Sequence, residues 1–211
     1  MLCGSLASAA ENTAAPTADR ISIFKVPLVC PAAPQIGCGS ASKPILLDLE
    51  QQPGVLEAWL NRAGTRIAVV WKPESNAERR RKVVTGLKDD RASELEGEPR
   101  DEAVKDFLSG KGWYHGADVD RLSEEEADII AARLVRWVQA KSALTKDKAE
   151  GLQHAFSDTL RKDLTGKSTG RNRLEDVARD YLDQEQVKIL KAAIKDEGAI
   201  ENGERPVPDG N

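Results

Sequence analysis

Two cysteines, Cys30 and Cys38, bracket the loop VCPAAPQIGCGS and give the chain its clearest capacity for chemistry. Pro31 and Pro34 restrict the backbone between them, while Gly37 and Gly39 flank Cys38 and let main-chain N–H groups approach a sulfur or a ligand. The residues that follow carry Ile45, Leu46 and Leu49 on one face of a helical pattern. That helix is expected to start near Ser40 or Ser42, with Pro44 in its first turn. Cys38 would then sit at the helix entrance, where the positive end of the macrodipole favours thiolate over thiol. Thiolate is the nucleophilic form of cysteine and the form that holds soft metal ions. Cys38 is thus the more reactive thiol, and Cys30 its candidate partner as a second metal ligand or in a dithiol–disulfide cycle.

The elements that must position this loop can be read on either side of it. Ile21 to Val29 is rich in β-branched residues and predicts a strand, with Pro27 marking an edge or a bulge near its end. After the helix, Gln51-Gln52-Pro53-Gly54 is a stop. Val55 to Leu60 and Arg66 to Trp71 are then two short apolar runs joined by Asn61-Arg62-Ala63-Gly64, a hairpin signal. The order is strand, thiol loop, helix, hairpin.

This order, with Cys38-Gly-Ser-Ala41, the turn Pro53-Gly54-Val55 and Asn61 in the second strand, resembles the heavy-metal-associated domain over Ile21 to Trp71. The resemblance implies a ferredoxin-like βαββαβ module that binds copper, zinc or mercury through thiolates at the start of its first helix. Cys38 falls on the family's first metal cysteine. Ala41 stands where the family's second cysteine would be, which leaves Cys30 to supply the second ligand. The implied function is non-catalytic: an exposed, low-coordinate thiolate site passes the ion to an incoming thiol of a protein partner by ligand exchange. The alternative is an accessory or structural protein-binding subunit with a degenerate module and passive cysteines.

Residues 74–102 are dominated by charge, with Val83, Val84 and Leu87 as the apolar anchors of a possible helix. The module's second helix is expected either at 77–88 or at 101–109. The second of these would turn Val104, Phe107 and Leu108 inward, and the other segment would be an exposed insertion. Trp113 to Val119 predicts the closing fourth strand and ends the first unit, 21–120, near Asp120. His115 within it is expected as a packed or exposed strand histidine. The chain is helical from Ser123, where Ser123 and Glu126 read as a capping box. Thr145 and Asp183 read as later caps, the stripe Ala149, Leu152, Phe156, Leu160 as a core face, and Arg173 to Tyr181 as a further helix. His154 is expected to face solvent. The resulting helical unit, 121–197, is expected to select a protein partner or to dimerise. A flexible leader (1–20), with an incidental Cys3, and a polar tail (198–211) flank the two.

Charged residues make up 31% of the chain, hydrophobic ones 40% and aromatic ones 4%, the balance of an α+β protein with much helix rather than of a β-sandwich. The interspersed charges, net −4, leave no electrostatic footprint for nucleic acid. No apolar run approaches the roughly 20 residues of a spanning helix. Three cysteines are too few for a disulfide scaffold, so a reducing, cytoplasmic setting is expected. Glycine patterns of the phosphate-cradling kinds are absent, no organic cofactor is expected, and no paired carboxylates point to acid–base catalysis.

Overall fold

The computed structural model describes residues 16–86, 92–168 and 174–201. They form an α+β structure around a five-stranded antiparallel sheet of order β4-β1-β3-β2-β5. The strands are β1 (Ile21–Lys25), β2 (Val55–Asn61), β3 (Arg66–Trp71), β4 (Ser93–Glu94) and β5 (Trp113–His115). The central strand, β3, pairs with β1 from Ile21↔Val70 to Lys25↔Arg66 and with β2 across the hairpin. Its alternation is clean. Ile67, Val69 and Trp71 join Phe24, Leu60 and, from helix α1 (Gly39–Gln51), Leu46 and Leu49 on one face. Ala68 and Val70 join Ile21, Ile23, Val104 and Phe107 on the other, which helix α3 (Gly97–Leu108) covers. A strand buried on both faces needs an unbroken apolar run, which IAVVW provides.

Helix α2 (Ala77–Gly86) follows β3 and places Val83 on the α1 side of the sheet. Beyond a 3-10 turn at Gly116–Val119 the chain enters the long helix α4 (Asp120–Lys141), then α5 (Lys146–Leu164), α6 (Leu174–Ala178) and α7 (Gln184–Glu201). The α4, α5 and α7 stripes enclose a second core of Ile130, Leu134, Val135, Leu152, Phe156 and Leu190, which also takes in Cys30, Ala32, Ala33 and Ile36 of the thiol loop. The loop is therefore a wall of the helical core.

Several expectations need correction. The first strand stops at Lys25, because Pro27 removes a ladder donor, and Val29 keeps only an isolated bridge to Gly37. Pro44 lies in the second turn of α1 and not the first, so the Ser40 carbonyl lacks the N–H donor four residues on. Both 77–86 and 97–108 are helices, so the charged segment after 97 is not an insertion loop, and Leu108 is 46% exposed instead of inward. The expected fourth strand shrinks to Trp113–His115 and pairs with β2; the strand beside β1 is Ser93–Glu94, at the opposite edge. Gly116–Val119 turns as a 3-10 helix. Because α4 starts at Asp120, Ser123 and Glu126 are inside it and buried, not a capping box. Thr145 is an N-cap by position without a side-chain bond, whereas Asp183 and Gln186 do close a reciprocal cap. The helix expected over Arg173 to Tyr181 is α6 at Leu174–Ala178, with Arg173 outside the described residues, and residues 198–201, assigned to the tail, extend α7. Leu87 and most of the leader and tail lie outside the described residues.

Candidate functional site: a thiol pair at the mouth of α1

The thiol loop is pinned by the hairpin turn. The Leu28 N–H donates to the Gly64 carbonyl (2.9 Å) and the Gly37 N–H to that of Arg62 (2.7 Å). Within the loop, Cys30 N–H reaches Ile36 O (2.9 Å) and Cys38 N–H reaches Leu28 O (2.8 Å), which folds the two cysteines back toward each other. Gly64 has φ +69° and lies so close that a Cβ there would meet Leu28 O and stand 2.5 Å from Gly37 Cα. Only glycine fits this turn, and the fit sets the loop's height over the sheet.

Cys38 is the N-cap of α1, and Cys30 lies fully buried behind it. Neither is in a disulfide. The influence of each thiol on the other above all splits their acidities. Cys38 is held down at about 5, since Cys30 donates to its sulfur and the Ser40 hydroxyl and the N–H groups of Ala41 and Ser40 add to the effect against the cost of burial. The Ser40 Oγ is 3.4 Å from that sulfur. Cys30 is pushed well up: it keeps its proton for Cys38, it is desolvated, and the Glu126 carboxylate stands beside it. The Ala33 N–H, 3.2 Å from Cys30 Sγ, works the other way. At neutral pH the site is one thiolate, half-exposed, backed by one buried thiol.

Glu126 belongs to the site although it reads as a cap in the sequence. It is 4% exposed and occupies the α4 stripe between Leu122 and Ile130, at the i±4 positions. Ser123, one turn before it, faces the first residue of α1: a Cβ on Gly39 would clash with Ser123 Oγ and come within 2.6 Å of Val119 O. Arg133, two turns on, donates to Ala32 O in the thiol loop. Glu126 thus sits between two anchors of α4 on the loop, under Cys30. A carboxylate in register with buried leucine and isoleucine was the available signal. Its reading as a cap rested on a helix start that α4 moves three residues upstream.

The histidines stand apart from the sulfurs. His115 Nε2 is 3.0 Å from Glu50 and its ring leans on Trp59, 4.8 Å between centroids, while His154 is exposed on α5. Among the described residues no group of three or more His, Cys, Asp or Glu is placed to hold a metal ion, so any ion at the thiol pair would have two sulfur donors of this chain. No helix among the described residues is long and apolar enough to cross a membrane. In comparisons with known proteins, no family model, no curated protein and no solved structure matches the chain.

Proposed function

We propose that this chain binds a soft, two-coordinate metal ion between Cys38 and Cys30 and hands it to a thiol of a partner protein. The observation that carries the reading is the thiolate–thiol pair at the N-terminus of α1, in the loop that follows β1. A thiol of lowered pKa is ready to capture an ion without prior deprotonation, and the second thiol lies on the same loop, in the core against which Cys38 packs. Two sulfur donors suit digonal Cu(I) or Hg(II), whereas Zn(II) seeks four ligands. Delivery follows from the unequal burial. The ion would be approached by the incoming thiol from the Cys38 side, and Cys30, enclosed by the helical core, would be the last ligand to let go.

The ferredoxin-like, heavy-metal-associated reading is supported by the succession β1-α1-β2-β3-α2-β4, by the partial order β4-β1-β3-β2, and by Val83 of α2 sharing the α1 face of the sheet. β5 and α3 would be additions to that module, one extending its edge and the other covering its second face.

Anaerobic titration of the reduced protein with Cu(I) against a competing chelator tests the proposal, in a Cys3→Ser background so that only the loop thiols count. One equivalent is expected to bind, with binding lost in Cys38→Ser. Cys30→Ser should weaken it by more than the roughly 10- to 100-fold that removal of an outer-shell partner costs. Absence of uptake, or uptake indifferent to Cys38, would overturn the reading.

A further inference from the structure

The face of the sheet turned away from α1 carries a row of rings. Helix α3 packs on β1 and β3 there, and the rings continue from it onto β2 and β5. Trp59 of β2 stands edge-on to Phe107 of α3 with 5.8 Å between centroids, Phe107 meets Trp113 of β5 at 5.2 Å, and His115 leans on Trp59 at 4.8 Å. Register accounts for the row. Trp59 is paired with His115 and Asn61 with Trp113, so both β5 rings fall on the face that Trp59 uses.

A carboxylate holds each polar ring. The Trp59 Nε1–H donates to Glu57 (3.0 Å), the Trp113 Nε1–H donates to Asp106 (3.1 Å), and His115 Nε2 is 3.0 Å from Glu50. Among the described residues, no lysine or arginine forms an ion pair with Glu57 or Asp106. One indole N–H leaves most of a carboxylate's acceptor sites open. Trp59 is half-buried and Asp106 exposed. Leu56 and Leu108, the sequence neighbours of Glu57 and Phe107, are 42% and 46% exposed.

From the rings, the two carboxylates without a cation and the exposed leucines, we infer that the corner between β2 and the end of α3 docks an arginine-bearing segment of a partner protein. Charge decides the occupant. An acidic or wholly apolar segment would desolvate Glu57 and Asp106 with no counter-charge, a cost that two leucines do not offset. A guanidinium does better than an ammonium, because its plane stacks on an indole while its N–H fork meets a carboxylate in bidentate fashion. The other two tryptophans already carry cations of this chain, Arg80 over Trp71 at 5.5 Å and Lys141 over Trp137 at 4.8 Å. Trp59 is left to a foreign one. Because the surface lies across the sheet from α1, the inference does not rest on the metal reading.

The test uses the metal-free full chain and, as probe, the acetylated and amidated peptide Arg-Leu-Arg-Leu-Arg, with its glutamate and lysine counterparts for comparison. In ¹⁵N-labelled protein the arginine peptide is expected to move the indole N–H resonances of Trp59 and Trp113 and to leave those of Trp71 and Trp137 in place. The glutamate peptide should move none, and the lysine peptide should bind about threefold or more weakly than the arginine one. Glu57→Gln combined with Asp106→Asn keeps an acceptor for each indole, so the circular dichroism should persist while affinity falls at least about tenfold. Asp147→Asn combined with Glu150→Gln removes the same charge from exposed positions on α5, and should leave affinity within about twofold. Equal weakening in the two double variants would reduce the binding to general attraction by an acidic protein and overturn the inference. A Trp59 resonance that ignores the arginine peptide, or a lysine peptide that binds as well, would do the same. So would a dimer of the chain alone that sedimentation detects and that Glu57→Gln/Asp106→Asn abolishes, since the surface would then belong to a second copy.

Discussion

At the scale of single residues the site depends on an inequality between two chemically identical groups. Cys38 and Cys30 start with the same acidity, and the environment drives them apart: one sulfur collects donors at a helix mouth, the other is desolvated beside a carboxylate. An ordinary thiol ionises near pH 8.5. Cys38, lowered to about 5, is thiolate across the neutral range and loses nucleophilicity only as pH falls through about 5. The rate of its alkylation by iodoacetamide, followed by peptide mapping so that each cysteine is scored separately, should therefore be flat from about pH 8 to 6 and halve near pH 5. Cys30 should stay unmodified throughout in the folded protein. A half-point near 8.5 for Cys38 would mean that the contact with Cys30 does not lower its acidity. Replacing Cys30 by serine weakens the largest of the lowering contacts, so the half-point should move upward in that variant. Much of this was legible in the sequence. Cys38 followed by small residues at a predicted helix start announces an activated thiol, but which group would oppose it was not, since Glu126 is far off in the chain and its burial follows from tertiary packing.

At the scale of elements the site is held by a glycine contact between two turns. The β2–β3 turn and the thiol loop approach so closely that Gly64 and Gly37 touch backbone to backbone, and the hydrogen bonds from Leu28 and Gly37 to the turn follow from that approach. Gly64→Ala would put a side chain at φ +69°, which costs about 1 kcal/mol or more, and would press a Cβ into Leu28. The variant should lose on the order of 3 kcal/mol in denaturant unfolding, the size expected for strain combined with overpacking. Its Cys38 should also alkylate with a half-point shifted toward that of an ordinary thiol, since the loop no longer meets the helix mouth in the same place. Unchanged stability would show that the two turns are not pressed together in solution. The hairpin itself was readable, because its alternation and turn residues are local. The partner of its turn was not, nor was the place of the last strand. WYH has the composition of a strand, but pairing it with β2 or with β1 depends on where α3 sits, and local pattern carries no information on that choice.

At the scale of the whole molecule, the thiol loop joins the sheet and the helical layers because it belongs to the packing of both. Leu28 packs against the core under the sheet, whereas Cys30, Ala32, Ala33 and Ile36 pack with α4, α5 and α7. The expected division of the chain into an N-terminal module and a helical unit rests on periodicity, strands among helices before Asp120 and helices alone after it. Periodicity is silent on which residues of the first part complete the core of the second. Ala32, Ala33 and Ile36 lie in an irregular loop, yet they are as buried as Leu152 of α5. The acidity and inaccessibility of Cys30 are therefore properties of the helical core as much as of the loop. Leu152 of α5, fully buried in that core and distant from Cys30 in sequence, separates the two possibilities. Leu152→Ala should cost about 2–5 kcal/mol through the cavity it leaves. If the core guards the thiol, the variant should also open Cys30 to alkylation under conditions where the fold persists by circular dichroism. Leu56→Ala, at an exposed position on β2, should change stability by no more than about 0.5 kcal/mol and leave Cys30 closed. A Leu152→Ala protein that is destabilised but keeps Cys30 as unreactive as before would locate the protection in the loop alone, with the helical layers contributing stability and no part of the thiol chemistry.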